Sequence, residues 1–539
     1  MATLHIQQLS VALPQGADRA HAVSGLSLSI EPGQTLCIVG ESGSGKSVMA
    51  TTVMGLLPKE LHASQGQVLL NGESLLDASP KRLRDLRGKA MGMVFQEPMT
   101  ALNPVMTCGD QIDELLREHT DWPRDQRTQE IRRVLERVHI KDPERIMRSH
   151  PHQLSGGQRQ RVVIAMAVIL KPALLICDEP TTALDVTTQK EILSLIAELQ
   201  REQGSAVLFI THDMGVVADI ADEVLVMHQG ICVESGPRDE VLLRPKADYT
   251  RMLLNAVPSM TPPPPRSVPT DQTGEPRLRA TAVGKTYHSR DWMGRQHDTV
   301  ALQQANLSLM GGETVGIVGE SGSGKSTFAR CLIRLIDPTA GQIHWGQDEV
   351  GQKPESQLRP LRHRVQVVFQ DPNRSLNPRR TVGQSIVEGA MNFGASAAQA
   401  QALAEQLIQQ VSLPVESLKR YPSQFSGGQR QRIAIARALA CKPEVLVADE
   451  AVSALDVSVQ AQILELLRDI QRELGLGLLF ITHDLRVAAQ LCDRVIVMQH
   501  GQIVEQGPTS SLYAQPQHAY TQHLLACAPG GLDRVHAEH

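Results

Sequence analysis

The sequence predicts an α/β fold built twice, and three observations predict it. The octapeptide GESGSGKS occurs at Gly40–Ser47 and again at Gly319–Ser326. Later segments recur in the same order: LSGGQRQR at Leu154–Arg161 against FSGGQRQR at Phe425–Arg432, CDEPTTALDV at Cys177–Val186 against ADEAVSALDV at Ala448–Val457, and LFITHD at Leu208–Asp213 against the same letters at Leu479–Asp484. In both copies continuous apolar stretches alternate with helix-like periodicity, the pattern of a largely parallel sheet covered on both faces. From the SGGQ segment onward the copies keep one spacing (155 to 426, 178 to 449, 212 to 483), but the octapeptides lie farther apart. The first copy therefore carries eight extra residues, placed around Leu57–Gly66 and Cys108–Asp142.

Each copy reads in the same order. Alternating apolar residues at Leu4 and Ile6, then Leu26, Leu28 and Ile30, predict early antiparallel strands. A buried strand then leads into each GESGSGKS, Leu36–Val39 and Val315–Val318, and a helical pattern follows it. A second strand region comes at Gly66–Leu70 and Gly341–Trp345, and a strand ending in glutamine at Gly92–Gln96 and Val365–Gln370. Helical segments at Gln126–His139 and Ala397–Val411 precede the helix that opens at SGGQRQR. Two buried strands complete each sheet, Ala173–Cys177 with Val207–Ile210 and Val445–Ala448 with Leu478–Ile481. Between the copies, Val257–Pro276 includes four consecutive prolines, which exclude helix and interior strand and favour an extended spacer. The expected domains are residues 1–256 and 277–539, joined by the linker 257–276.

The bulk composition narrows the class. A chain of 539 residues is too long for a single core. A net charge of −5 argues against a nucleic-acid binder. The eight cysteines contain no C-x-x-C pair, which is a reduced, cytosolic pattern. The longest apolar run, Val162–Leu170, is half the length of a membrane span, and MATLHIQQLS lacks the basic and apolar regions of a signal peptide.

The repeated octapeptide fits G-x-x-x-x-G-K-[ST], the P-loop that cradles phosphates. Gly40, Glu41, Ser42, Gly43, Ser44, Gly45, Lys46 and Ser47 form the first copy, and Gly319, Glu320, Ser321, Gly322, Ser323, Gly324, Lys325 and Ser326, with Thr327 after it, the second. Glycines let the backbone N–H groups turn toward phosphate oxygens, and the following helix adds the positive end of its dipole. Lys46 and Lys325 would reach the β- and γ-phosphates, and the hydroxyls of Ser47 and Ser326 would hold Mg²⁺. Asp178 and Asp449 end buried strands beside these loops, where a carboxylate can hold Mg²⁺.

The ordered set of P-loop, glutamine, SGGQ, acidic strand end and late histidine resembles the ATP-binding-cassette (ABC) ATPases, with two cassettes fused. The resemblance covers nearly the whole chain and implies, in each cassette, a mainly parallel P-loop NTPase core with an antiparallel β subdomain and a helical subdomain. It implies ATP and Mg²⁺ as cofactors. Glu179 and Glu450 resemble the catalytic base, Gln96 and Gln370 the glutamine that touches Mg²⁺ and the attacking water, and His212 and His483 the switch histidine. Ser155, Gly156, Gly157 and Gln158, and Ser426, Gly427, Gly428 and Gln429, resemble the signature that closes the ATP held by the opposite cassette. Lys46 would thus share its ATP with Ser426, and Lys325 with Ser155, with Asp185 and Asp456 at the seam. Phe425 departs from the usual signature leucine and Ala451 from the proline after the catalytic glutamate; neither removes a reacting group, so both sites are expected to hydrolyse ATP. The family stacks adenine on an aromatic residue, which aligns with Tyr287 in the second cassette but with Leu13 in the first.

Three features resemble the dipeptide, oligopeptide and nickel importer branch: GESGSGKS itself, QEPMTALNP and QDPNRSLNP after the glutamines, and tails reading Ala247-Asp-Tyr-Thr250 and His518-Ala-Tyr-Thr521. Within it the layout is that of fused microcin C/peptide and glutathione importer ATPases. Many relatives carry an iron–sulfur cysteine cluster after the tail; only Cys527 stands there, so none is expected. The branch implies two transmembrane permease subunits and a periplasmic solute-binding protein as partners, membrane contact through the permeases only, and a place on the cytoplasmic face of the inner membrane. The alternative is a soluble tandem cassette acting on ribosomes or DNA. Those classes carry a charged helical linker or zinc cysteine pairs, against the proline-rich linker and unpaired cysteines here.

Overall fold

The computed structural model describes residues 2–528 apart from 18, 97, 183, 266–273, 291–295 and 454. Residues 266–273 of the expected linker 257–276 therefore lie outside the described residues. Its opening does not: Gln490 donates to the carbonyls of Ser259 and Thr261, both at 2.8 Å, so this part rests on the second cassette.

Each cassette is built on a six-stranded sheet. In the first, five parallel strands run in the order Met91–Val94, Leu174–Asp178, Ala206–Ile210, Thr35–Val39 and Glu223–His228, and Ile231–Pro237 closes the edge antiparallel. The second repeats this with Val365–Val368, Val445–Asp449, Gly477–Ile481, Thr314–Val318, Arg494–Gln499 and the antiparallel Gln502–Pro508. Every residue of the P-loop strand Thr35–Val39 is buried, because the sheet is covered on both sides. Leu36, Ile38, Ile176 and Leu208 face one core, Cys37, Val39, Cys177 and Phe209 the other. That two-sided burial is why these strands read as unbroken apolar runs rather than alternations.

The first core is roofed by a four-stranded antiparallel sheet made by Leu4–Ala12, His21–Ile30, His62–Leu70 and Glu73–Ser74. Leu278–Arg290, Gln296–Leu309, Ala340–Trp345 and Asp348–Glu349 form its counterpart. Registers match: Leu4 pairs with Ile30 as Leu278 pairs with Leu309, and Val11 with Val23 as Lys285 with Leu302. Leu13 therefore occupies the register position of Tyr287, the alignment expected from sequence.

On the other face lie the helical segments. The predicted Gln126–His139 is the helix Arg124–Arg137, and Ala397–Val411 is Ala397–Gln410. Each is preceded by a helix not expected from the sequence, Cys108–His119 and Val382–Asn392, capped by the hydroxyls of Thr107 and Thr381. The signature helices Gly156–Val168 and Gly427–Leu439 and the long helices Val186–Gln203 and Val457–Leu474 complete this layer. Among the described residues no helix is long and apolar enough to cross a membrane.

Candidate functional site

Each P-loop turns sharply between its strand and the helix Lys46–Val53 or Lys325–Leu332. Gly40 and Gly319 have φ of 149° and 147°, and a Cβ on either would lie 2.2 Å from the carbonyl oxygen of Met227 or Met498. Only glycine fits such a backbone approach. The lysine ammonium is folded under its own loop. Lys46 Nζ donates to the carbonyls of Gly40 at 2.6 Å and Glu41 at 2.8 Å; Lys325 does so to Gly319 at 2.7 Å and Glu320 at 2.8 Å. Burial lowers both lysine pKa values, and the nearby carboxylates, Glu179 and Glu450 foremost, oppose that shift. Thr327, half-buried in the second P-loop helix, has Val48 as its counterpart.

The strand ends bring acidic groups to these loops. Ser47 Oγ lies 3.2 Å from Asp178 Oδ1 and Ser326 Oγ 3.3 Å from Asp449 Oδ1. Burial raises the pKa of both aspartates, and the serine hydroxyls partly offset it. Glu179 and Glu450 follow with φ of 47° and 50°, in the left-handed region that non-glycine residues seldom occupy. Their N–H groups still donate to the carbonyls of Ile210 and Ile481, so the turn begins at the end of the strand ladder.

The two glutamates are held differently. Glu179 Oε2 accepts from Gln96 Nε2 at 3.0 Å and from Thr182 Oγ1 at 2.9 Å, and lies 3.3 Å from His212 Nδ1. Glu450 lies 3.7 Å from His483 Nδ1; Gln370 Nε2 instead donates to Ser453 Oγ at 3.4 Å, and Ser453 donates to the Glu450 carbonyl. Burial pushes the Glu179 pKa up, but contact with His212, the Thr182 hydroxyl and the Lys46 charge together outweigh it and the carboxyl sits below its ordinary value. The contact with Glu179 raises the His212 pKa against its own burial. Against the burial of Glu450, His483 and the Lys325 charge together lower its pKa.

Both signature serines cap their helices. Ser155 Oγ accepts from Gln158 N at 3.3 Å and Ser426 Oγ from Gln429 N at 3.4 Å, with each glutamine reaching back to the serine N–H. Gly156 and Gly427 are exposed. Gly157 sits so close to Thr188 that a Cβ would lie 2.9 Å from its methyl, and Gly428 would place one 2.3 Å from Val459.

These neighbours carry the contact to the opposite cassette. Beside Thr188, Thr187 donates to the Glu320 carboxylate, and Asp185 Oδ2 accepts from Ser321 N at 3.3 Å. Beside Val459, Ser458 donates to the Glu41 carboxylate, and Asp456 Oδ1 accepts from Ser42 N at 2.8 Å. Each signature helix thus begins beside the element that grips the other cassette's P-loop. Asp185 and Asp456 lie at the seam, as expected.

The tails have a role at this seam that sequence reading missed. Tyr249 Oη accepts from Glu41 N at 3.3 Å and Tyr520 Oη from Glu320 N at 3.1 Å, each within its own P-loop. The tail helices Asp248–Ala256 and Ala519–Cys527 pack on the long helices of the opposite cassettes, Val457–Leu474 and Val186–Gln203. Two tyrosines at matching places in the repeat are the available signal; by themselves they mark only the branch. Tyr287, the residue expected to stack on adenine, is 41% exposed, with Lys285 Nζ 5.2 Å from its ring centre; Leu13 is half-buried.

The ABC transporter family profile matches residues 23–182 and 302–453, and the oligopeptide/dipeptide transporter C-terminal region matches 233–297 and 504–533. Curated relatives include the glutathione import ATP-binding protein GsiA of Escherichia coli (strain K12), 45% identical over 98% of this chain and 89% of its own length, and that of Salmonella paratyphi A, 44% identical over the same shares. Among solved structures, a post-hydrolysis dimer of the cassette MJ0796 bound to ADP and Pi is 30% identical, covering 43% of this chain and 98% of its own, with a TM-score of 0.40. The matched segments fall on both P-loops and both acidic strand ends described above, and the chain belongs to the ABC transporter family as an ATP-hydrolysing protein with two ATP-binding cassettes.

Proposed function

We propose that this protein powers import of a small peptide-like solute, glutathione or a near relative, by hydrolysing ATP at two sites shared between its cassettes. The observation that carries the shared sites is the reciprocal seam, Ser42 N to Asp456 and Ser321 N to Asp185. The solute class rests on the 45% identity to glutathione import ATP-binding proteins and on the oligopeptide/dipeptide tails. The ribosome- or DNA-directed alternative has no such support.

The cassettes are residues 1–256 and 277–539. In the first site Gly40–Ser47 holds the phosphates and Lys46 swings from its carbonyl partners to the β- and γ-oxygens. Ser426, Gly427, Gly428 and Gln429 close on the γ-phosphate from the other side. Glu179, kept ionised by His212, accepts a proton as the water oxygen bonds to phosphorus and the bridging oxygen departs with ADP. His212 holds the γ-phosphate. In the second site Gly319–Ser326, Thr327, Glu450 and His483 play the same parts, closed by Ser155, Gly156, Gly157 and Gln158, with adenine stacked on Tyr287.

The residues fit Mg²⁺: a hydroxyl and a carboxylate oxygen 3.2 Å apart, Ser47 with Asp178, are hard donors too few for an all-protein cage. Ser326 with Asp449 repeats the pair, and Gln96 and Gln370 stand at the same edges. When bound, the ion neutralises charge building on the β- and γ-oxygens.

Two permeases dock where the glutamine loops emerge. Phe95, Met99 and Val105 are exposed beside Gln96 in the first cassette, apolar side chains suited to a partner's helix. The protein then lies on the cytoplasmic face of the inner membrane through its permeases, and a periplasmic binding protein delivers the solute. Reconstitution with the permeases tests this. Binding-protein-delivered glutathione or a short peptide is expected to raise ATP turnover several-fold; ATPase activity indifferent to permeases would overturn it.

A further inference from the structure

The two Thr-His-Asp loops differ two residues past the aspartate. The first cassette has Gly215 there and the second Arg486. Arg486 crosses the seam: its Nη1 and Nη2 lie 3.1 Å from Asp213 Oδ1 and Oδ2. The same guanidinium serves its own loop, with Nε 3.3 Å from Asp484 Oδ1 and Nη2 3.4 Å from Oδ2. One arginine side chain, 12% exposed, thus joins two carboxylates from two cassettes, each directly following a switch histidine.

Both carboxylates are already fixed to their loops. Asp213 Oδ1 accepts from Gly215 N and Asp484 Oδ1 from Arg486 N, both at 2.9 Å. Thr211 and Thr482 hydroxyls accept from the aspartate N–H groups, both at 3.0 Å. A shift of either loop is therefore transmitted to the guanidinium and on to the other. The three groups border a cavity of about 90 Å³ that His212 and His483 also line. Burial works against the charge on Asp213, and the Arg486 guanidinium overrides it, holding the carboxyl at about 2. A seam needing only adhesion would be served as well by apolar packing, because burying charges costs most of what their attraction returns. The two-pronged fork supplies a fixed geometry instead.

We infer that Arg486 is a positioning residue that locks the two Thr-His-Asp loops together, so that seating one switch histidine on a nucleotide seats the other and the two sites turn over cooperatively. The inference rests on both sites being hydrolytic. The experiment is an ATP titration of steady-state hydrolysis by the full chain with Mg²⁺ present. The unaltered protein is expected to give a Hill coefficient clearly above 1, toward the limit of two sites. Arg486→Gly, which copies the first cassette, should bring it to about 1. Asp213→Asn with Arg486→Gln keeps the seam filled while removing the buried pair; it should show the same loss, and no more than either single change, because the partners act as a unit. An unchanged Hill coefficient in that folded double variant, with only a lowered melting temperature, would reduce Arg486 to a brace and overturn the inference. No hydrolysis by the unaltered chain would instead overturn the ATPase reading on which it stands.

Discussion

The two cassettes share one P-loop sequence but surround it differently. In the first, Gln96, Thr182 and His212 converge on the Glu179 carboxylate; in the second, His483 approaches the Glu450 carboxylate while Gln370 turns to Ser453, which donates to the Glu450 backbone carbonyl instead. The seam is also uneven, since Arg486 answers Gly215. Any inequality between the sites thus arises in the shell around identical phosphate cradles, where neither loop motif records it.

The largest effect expected breaks the comparison outright. Glu179→Gln or Glu450→Gln removes the proposed base of one site and should lower turnover there by about 10²- to 10⁴-fold. Photolabelling of each half after trapping reads the two sites separately. Equal losses would show that the crowded shell of Glu179 leaves hydrolysis unchanged.

Next are the signature glycines. Gly428→Ala drives a methyl into Val459 at 2.3 Å, and Gly157→Ala meets Thr188 at 2.9 Å. The former should cost about 1–3 kcal/mol in urea unfolding, the latter less. Equal costs would mean that the two signature helices pack alike.

The proposed adenine position gives a smaller contrast. Leu13→Tyr should tighten ATP at the first site, and Tyr287→Leu weaken it at the second, each by about 0.5–1.5 kcal/mol for one aromatic stack. Tighter binding at the first site in the unaltered protein would contradict this ordering.

The smallest effects concern pH and the tails. His212 has a raised pKa, so its contribution to stability is complete below about 6.5 and is lost as pH rises through the raised value. Glu179 is lowered, so its contribution is present above 4.5 and is lost as pH falls through the lowered value. The melting-temperature deficit of His212→Gln should therefore be greatest between those limits and shrink toward alkaline pH. Tyr249→Phe and Tyr520→Phe each remove an acceptor from a P-loop N–H and should weaken nucleotide binding by about 0.5–1.5 kcal/mol.

The fold was legible because the chain states it twice: buried strands such as Thr35–Val39 are unbroken apolar runs, and the repeat fixes their order. The helices Cys108–His119 and Val382–Asn392 were missed because a capping threonine and a half-polar face give weak local signals. At the site, Lys46, Asp178, Glu179 and His212 were legible as motif residues. The seam partners Thr187 and Ser458, the tail tyrosines and Arg486 were not, because their meaning lies in what stands opposite them across the molecule.

The central claim is that each ATP is closed by the other cassette of the same chain. Ser155→Arg and Ser426→Arg test it, read by trapped photoreactive nucleotide on each half. Ser426→Arg is expected to remove more label from the half containing Lys46 than from the half containing Lys325, and Ser155→Arg the reverse. Greater loss of label from the same half as the substitution would contradict the account.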